Sequence, residues 1–469
     1  MKKRINSERE FVDFVCTLSG YNGKYKQLLL ASPFGCRNPE FNSLLVKRIN
    51  IVSLVFLFFI ELALMLISPI YSVIKLSVYG RSIYYKAKKK GDYCIVMSDS
   101  LYKQGIENYI DSTDIDNSSE FRFSYRKRNG MEKKTYLNAF TIVRRTIELN
   151  IMGIKYFSKV RLNYSGLFKC VLIIKYLTYV NRLSWTSYYN LRFLIDDCFK
   201  EEEFRAIYYP HEMFSESIVL WEVFSTKKIK TITIQHTTIS RGKLYYFRDD
   251  SEWALGLKGP DVFIVNTEFD YKNLKEFFPR STNLIALSSP RIKSNYLNKR
   301  TKNIIVENNI LLITTGTWFE VRKVLLFALN VLLFNRTYKG NISIRLHPFA
   351  KLSLFNRCIR YFLSLSKRVC LEHRNLDAQL EEVGAVIGCG TTLLYELAIS
   401  GENVRIINDD DFYYYHDVSF FKDEVLINSF NSDVLLPLSP LDDSKKEVLQ
   451  DIFREKALYS SIFKVVSCG

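Results

Sequence analysis

Three groups of residues carry side chains suited to chemistry, each at a point where an apolar run gives way to polar residues. The first is Gly388-Cys389-Gly390-Thr391-Thr392, followed by Glu396. Glycines lack a Cβ, so the backbone amides of such a turn can come close to an anion. Threonines that open a helix satisfy its free N–H groups, and the same helix end favours phosphate. Glu396, one turn further in, is spaced to accept hydrogen bonds from ribose or sugar hydroxyls. The pattern reads equally as a tight turn with a threonine cap and a solvent-facing glutamate.

The second group is Arg345, His347 and Lys351 in "IRLHPFAK". A strand-end histidine held by Pro348 can donate to a phosphate oxygen, and the flanking cations can help hold a diphosphate. A histidine packed at a strand end is the competing reading. The third group joins His211 and Glu212, after "IYYP", to Gln235, His236 and Thr237 in "ITIQHTTI". Their spacing suits neighbouring strands of one sheet, and a carboxylate or imidazole there can take a proton from a hydroxyl. Alternatively, His211 is a loop residue and Glu212 the N-terminal carboxylate of the next helix.

Holding such groups requires strands ending at a common edge, and the chain supplies them. From residue 205, "RAIYYP", "IKTITIQHTTI" and "PDVFIVN" read as strands separated by helical patterns; Ile218, Val219, Val223 and Phe224 share one helix face. A second series follows: "NILLITTGT", "ISIRLHPFA", "GAVIGCG" and "NVRIIN", with helices after the first and third. Strand-helix alternation predicts parallel, helix-covered sheets. The expected organisation is two Rossmann-like domains, 1–300 and 301–469. "YCIVMSDS" (93–100) reads as a buried strand. Residues 101–200 read as mostly helical, with a polar loop at "DSTDIDNSSE". Ser444 and Glu447 form a capping box for a last helix.

Composition is globular, with 48% hydrophobic and 25% charged residues. The net charge of +17 favours anionic partners: nucleic acid, acidic lipid or phosphorylated small molecules. No RNA- or DNA-binding signature accompanies it. The nine cysteines form no C-x-x-C pair, which argues against a zinc site or disulfide framework. Asp114-Ile115-Asp116 fits a metal-binding D-x-D pattern but follows no strand, so no metal is expected. Residues 49–74 are apolar apart from Glu61. Three readings stand: a buried or interfacial helix pair, a membrane span of ~20 residues, or a strand plus helix. Glu61 near the middle and Pro69, a helix breaker, weigh against a straight span. The basic residues after it suit anionic lipid heads, so peripheral membrane attachment is the favoured reading.

The order "IQHTTI", "GPDVFIVN", "RLHP", "GCGTTLLYELAISGENVRII" resembles that of bacterial surface-carbohydrate glycosyltransferases of the GT-B fold. Polysialyltransferases and teichoic-acid glycerophosphotransferases are more distantly similar. The likeness covers roughly residues 200–410. It implies an α/β, GT-B-like chain of two Rossmann-like domains facing a cleft, with a hydrophobic membrane-associating N-terminal segment. It implies a glycosyltransferase with a nucleotide-sugar donor, no cofactor and a lipid-linked O-antigen or capsule acceptor. The enzyme would work on the anionic cytoplasmic face of the inner membrane, peripherally or by one membrane segment, with no nucleic-acid partner. Donor contacts would fall at Arg345, His347, Gly388, Gly390, Thr391, Thr392 and Glu396, and catalytic groups at Glu212 and His236. A nucleotide-sugar epimerase of the same fold and a non-catalytic nucleic-acid binder are the alternatives.

Overall fold

The computed structural model describes residues 51–74, 81–88, 93–97, 118–124, 131–135, 139–159, 166–199, 204–209, 215–235, 239, 246–286, 309–397, 402–408 and 426–428, with short breaks inside the longer ranges. The D-x-D pattern at 114–116 and the C-terminal helix expected from Ser444 lie outside them.

A three-helix layer comes first: α1 (Ile51–Ile74), α2 (Ala139–Lys159) and α3 (Gly166–Asn181). Both α1 and α2 pack on α3 and touch each other. Residues 51–74 are thus one helix rather than a strand plus helix. Pro69 lies inside it, against the expectation that it would break the helix. A proline removes one backbone bond, and the long contact with α3 outweighs that loss. The single charge of α1 is turned inward: Lys175 Nζ donates to Glu61 Oε1 at 2.9 Å, and Thr178 Oγ1 donates to the Glu61 carbonyl at 3.2 Å. Among the described residues no helix is long and apolar enough to cross a membrane. Residues 51–74 are thus a helix docked on α3.

Eight described strands form the first sheet, in the order β4-β1-β3-β2-β5-β6-β7-β8. They are β1 (Arg81–Lys88), β2 (Tyr93–Met97), β3 (Ser119–Ser124), β4 (Met131–Thr135), β5 (Ala206–Tyr209), β6 (Lys230–Ile234), β7 (Val262–Val265) and β8 (Asn283–Ala286). From β3 to β8 all neighbours are parallel, while β1 runs antiparallel to β3 and β4. Every residue of β5 and β7 is buried, as a sheet covered on both faces requires. The helices α4 (Thr186–Cys198) and α5 (Ser215–Thr226) pack against each other, and Trp221 Nε1 ties α5 to the sheet by donating to Thr233 Oγ1 at 2.9 Å. Two short helices follow, α6 (Asp250–Ala254) and α7 (Glu268–Leu274). The helical reading of 101–200 holds for α2, α3 and α4 but not for strands β3 and β4. Phe121 and Phe123 alternate inward with Arg122 between them, and the surrounding basic run disguises that period of two.

The second sheet is wholly parallel, in the order β11-β10-β9-β12-β13-β14. Its strands are β9 (Ile310–Ile313), β10 (Ile342–Arg345), β11 (Val369–Glu372), β12 (Ala385–Gly388), β13 (Val404–Asn408) and β14 (Leu426–Asn428). Three helices accompany them: α8 (Trp318–Phe334), α9 (Leu354–Ser364) and α10 (Leu376–Glu381). Successive residues face opposite sides. Ile310, Leu312 and Ile387 join one core with α8 and α9; Leu311, Ile313 and Val386 join the other with Leu380 and Leu394. Counted within this sheet, the strand order is 3-2-1-4-5-6, the doubly wound arrangement. The chain is therefore an α/β protein with one mixed and one wholly parallel sheet.

Replacing Lys175 with Met should leave Glu61 buried and unpaired, at a cost of about 3 kcal/mol. The double change Glu61→Leu with Lys175→Met should recover most of that loss. A denaturant-unfolding double-mutant cycle checks both values.

Candidate functional site

In a doubly wound sheet, ligands bind beyond the carboxyl ends of the strands, where the strand order reverses. Here the reversal lies between β9 and β12, which are adjacent and in register from Ala385↔Ile310 to Gly388↔Ile313. The turns after β9 and β12 therefore emerge side by side, and the turn after β10 emerges on the other flank of β9.

Close approach of the two central strands is enforced at Gly388. A Cβ there would fall 2.5 Å from the Ile313 carbonyl oxygen and 3.1 Å from Leu394 Cδ1, so no side chain fits. Thr391 closes the turn that follows: its Oγ1 accepts from the Leu394 amide at 3.3 Å, in the manner of a helix cap. Leu393, Leu394 and Leu397 then adopt helical geometry. Gly390, Thr392 and Glu396 lie outside the described residues.

On the other flank, Thr314 bridges β9 and β10. Its Oγ1 accepts from the His347 amide at 2.8 Å, and its own amide donates to the Arg345 carbonyl at 3.0 Å. The Ala350 amide donates back to the His347 carbonyl at 2.8 Å. The imidazole lies beside Gly316, whose missing Cβ would stand 3.5 Å from His347 Nδ1. His347 remains exposed, but its partial burial in this corner lowers its proton affinity below the ordinary histidine value; Glu320 opposes that shift. Arg345 shares the edge, with its guanidinium donating to Gln379 Oε1 on α10 at 3.1 Å.

Two groups at this edge escaped the sequence reading. Glu320, fully buried in the first turn of α8, accepts a hydrogen bond from Thr315 Oγ1. Its carbonyl lies 3.8 Å from Cys389 Sγ, the residue after β12. Thr314, Thr315, Gly316 and Glu320 thus form a second strand-turn-helix unit beside the first. The signal was available: "ILLITTGTWFE" repeats the grammar of "AVIGCGTTLLYE", with an apolar strand, Gly and Thr in the turn, and a glutamate early in the helix.

The structure thus brings Arg345, His347, Gly388 and Thr391 to one sheet edge. In the first sheet, Glu212 and His236 lie outside the described residues, as do His211 and Thr237. Their neighbour Gln235 is buried, with its amide donating to Asp270 Oδ2 at 3.0 Å and its backbone N–H to the Ile264 carbonyl at 2.8 Å. Gln235 therefore fixes the end of β6.

No protein-family model matches the chain, and no curated protein is similar to it in sequence. Among solved structures, the S. aureus MnaA structure with UDP is similar over 81% of this chain and 96% of its own, at 9% identity and a TM-score of 0.47. The UDP-GlcNAc 2-epimerase of Methanocaldococcus jannaschii, in complex with UDP-GlcNAc and UDP, is similar over 80% and 99%, at 11% identity and 0.45. A glycosyltransferase from Rickettsia africae is similar over 81% and 97%, at 9% identity and 0.43.

Gly388→Ala should destabilise the second sheet by roughly 1–3 kcal/mol, because a carbonyl of the adjoining strand has to move. Chemical denaturation checks it. The lowered proton affinity of His347 fixes the sign of a pH effect. Below the ordinary histidine value the unfolded chain protonates first, so it binds more protons than the folded chain. Stability should therefore fall as pH drops from about 7.5 to about 5.5, and His347→Gln should flatten that slope.

Proposed function

We propose that the chain is a glycosyltransferase of the GT-B type that moves a sugar from a nucleotide-activated donor to a lipid-linked surface-polysaccharide acceptor. In this reading residues 301–469 bind the donor. Residues 1–300 present the acceptor at the cytoplasmic face of the inner membrane. One observation carries the proposal: His347 and the Gly388 turn flank the carboxyl end of β9 at the reversal point of a doubly wound sheet.

The chemistry follows from what that edge can donate. A donor diphosphate needs N–H and O–H groups. His347 has a ring N–H, the residues after Gly388 have backbone amides, and Thr391 and Thr392 have hydroxyls. A histidine of lowered proton affinity is neutral near pH 7, so it would act as a hydrogen-bond donor rather than a fixed cation. Glu396 would accept from the ribose or sugar, and Arg345 would add charge at the rim. In the transfer step, an acceptor hydroxyl oxygen forms the new bond to the anomeric carbon. The bond from that carbon to the phosphate oxygen breaks, and the nucleotide leaves with the electron pair. The hydroxyl proton passes to a base, for which Glu212 and His236 are the candidates. Donors aimed at the leaving phosphate stabilise the charge that develops there, a role that requires no metal ion.

A thermal-shift screen against UDP-, GDP-, CMP- and dTDP-sugars tests the donor site. At least one should stabilise the wild-type chain; the shift should vanish in His347→Ala and weaken in Thr391→Val. A shift unchanged in both variants removes the site. Nucleotide release that requires added acceptor supports transfer, whereas interconversion of the nucleotide sugar without acceptor supports an epimerase.

A further inference from the structure

The layer of α1, α2 and α3 is apolar on its outer side as well as its inner one. A surface helix ordinarily turns apolar residues to the core and polar ones to water. In α2 the stripe Phe140, Val143, Ile147, Ile151 and Ile154 is exposed, and its spacing of three and four residues places it on one helix face. The inner side of α2 buries Ile142 and Leu149 and also carries polar contacts: Asn150 donates to Asn181 Oδ1 at 2.8 Å, and the Leu149 carbonyl accepts from the buried Tyr176 hydroxyl at 2.9 Å. Likewise, α1 exposes Phe56, Phe59, Leu66, Ile67 and Ile70, while its one charge, Glu61, is buried against Lys175. Both helices rest on α3 and meet each other, so the two apolar faces belong to one layer.

Exposed apolar faces of this extent mark an interaction surface. Charge identifies what covers it. The three helices hold Arg144, Arg145, Lys155, Lys159, Lys169 and Lys175 against Glu61 and Glu148, six basic residues to two acidic, a net of +4. A second copy would bring the same positive charge against it and be repelled, whereas an anionic lipid surface attracts it. The absence of a crossing helix among the described residues suits a helix layer lying in the interface rather than through it.

We infer that the outward faces of α1 and α2 are a seat for an anionic lipid bilayer, entered from one side. The inference places the acceptor side of the proposed transfer at a membrane, yet the seat itself needs no nucleotide sugar. Its test is therefore separate: a failure here leaves donor binding untouched, and a failed donor screen leaves lipid binding untouched.

The test is co-sedimentation of the full chain with vesicles of phosphatidylcholine alone, or of phosphatidylcholine and phosphatidylglycerol in equal parts. The chain should bind the mixed vesicles more tightly, and added salt should weaken but not abolish binding. Phe59→Glu with Ile67→Glu in α1, and Ile147→Glu with Ile151→Glu in α2, should each reduce binding roughly tenfold or more per side chain replaced. These positions are exposed, so circular dichroism and the thermal transition should stay as in the wild type. Binding unchanged in both variants overturns the proposal. So does a wild-type chain that ignores vesicles and forms dimers that the same variants dissociate, since a second copy then covers the face. Resistance to alkaline carbonate extraction overturns the one-sided seat in favour of a crossing.

Discussion

How closely β12 can lie against β9 sets the geometry of the whole second sheet edge. The Ile313 carbonyl occupies the space where a side chain on residue 388 would begin. Only glycine permits that approach, because any Cβ would force one of two paired strands to move. The consequence extends beyond the pair. Leu394 can fold back over the same spot, which turns the chain sharply after Cys389 and puts Thr391 where its hydroxyl caps the next turn. The strand reversal, the turn and the start of the following helix thus share one steric origin.

Around that pivot the edge is built from hydrogen-bond donors more than from point charges. Thr314 locks the His347 backbone, so the imidazole position is set by the β9–β10 junction rather than by its own rotamer alone. Glu320 sits at the amino end of α8, where the helix dipole favours a carboxylate, and takes the Thr315 hydroxyl. A buried acid in that place occupies the end of α8 that would otherwise attract an anion. In the proposed donor site a phosphate would therefore fall to the turn after β12 and to His347. Arg345, engaged by Gln379, supplies background positive charge rather than the primary contact.

The sequence displayed the parts of this arrangement unevenly. Strands β5, β7, β9 and β12 are short, apolar and bounded by polar residues, so their burial on both faces shows directly in composition. Gly388 and His347 stand out because glycine and histidine at strand ends have few structural uses. Glu320 does not stand out, because a glutamate in a first helical turn is ordinary; only its complete burial beside Thr315 separates it from a solvent-facing cap. Strands β1, β3 and β4 are hidden for a different reason. They lie toward one side of the sheet and carry several charged residues, among them Arg81, Lys86 and Lys88 in β1, Arg122 in β3 and Lys133 and Lys134 in β4, so charge masks the two-residue period. Strand order was beyond reach, since it depends on which crossovers pass β9 on either side, and no local pattern encodes that.

The two sheets and the helix layer differ in how much apolar surface they leave uncovered. In both sheets the apolar side chains close on helices and the polar ones gather at strand ends. In the layer of α1, α2 and α3 apolar side chains face out as well as in, while Glu61 and Asn150 meet polar partners on α3. Such an arrangement costs free energy in water, because each exposed Phe or Ile forgoes ~1.5–3 kcal/mol of burial. Glu61 shows that the layer is nonetheless a specific structure. A carboxylate in the middle of an apolar helix is tolerated because Lys175 meets it from α3, where Thr178 also donates to the Glu61 main-chain carbonyl. Rotating α1 to bury its apolar face instead would turn Glu61 outward and break both contacts. The inward pair therefore fixes which side of the helix faces out, so the apolar face is a defined feature of the fold and not a consequence of loose packing.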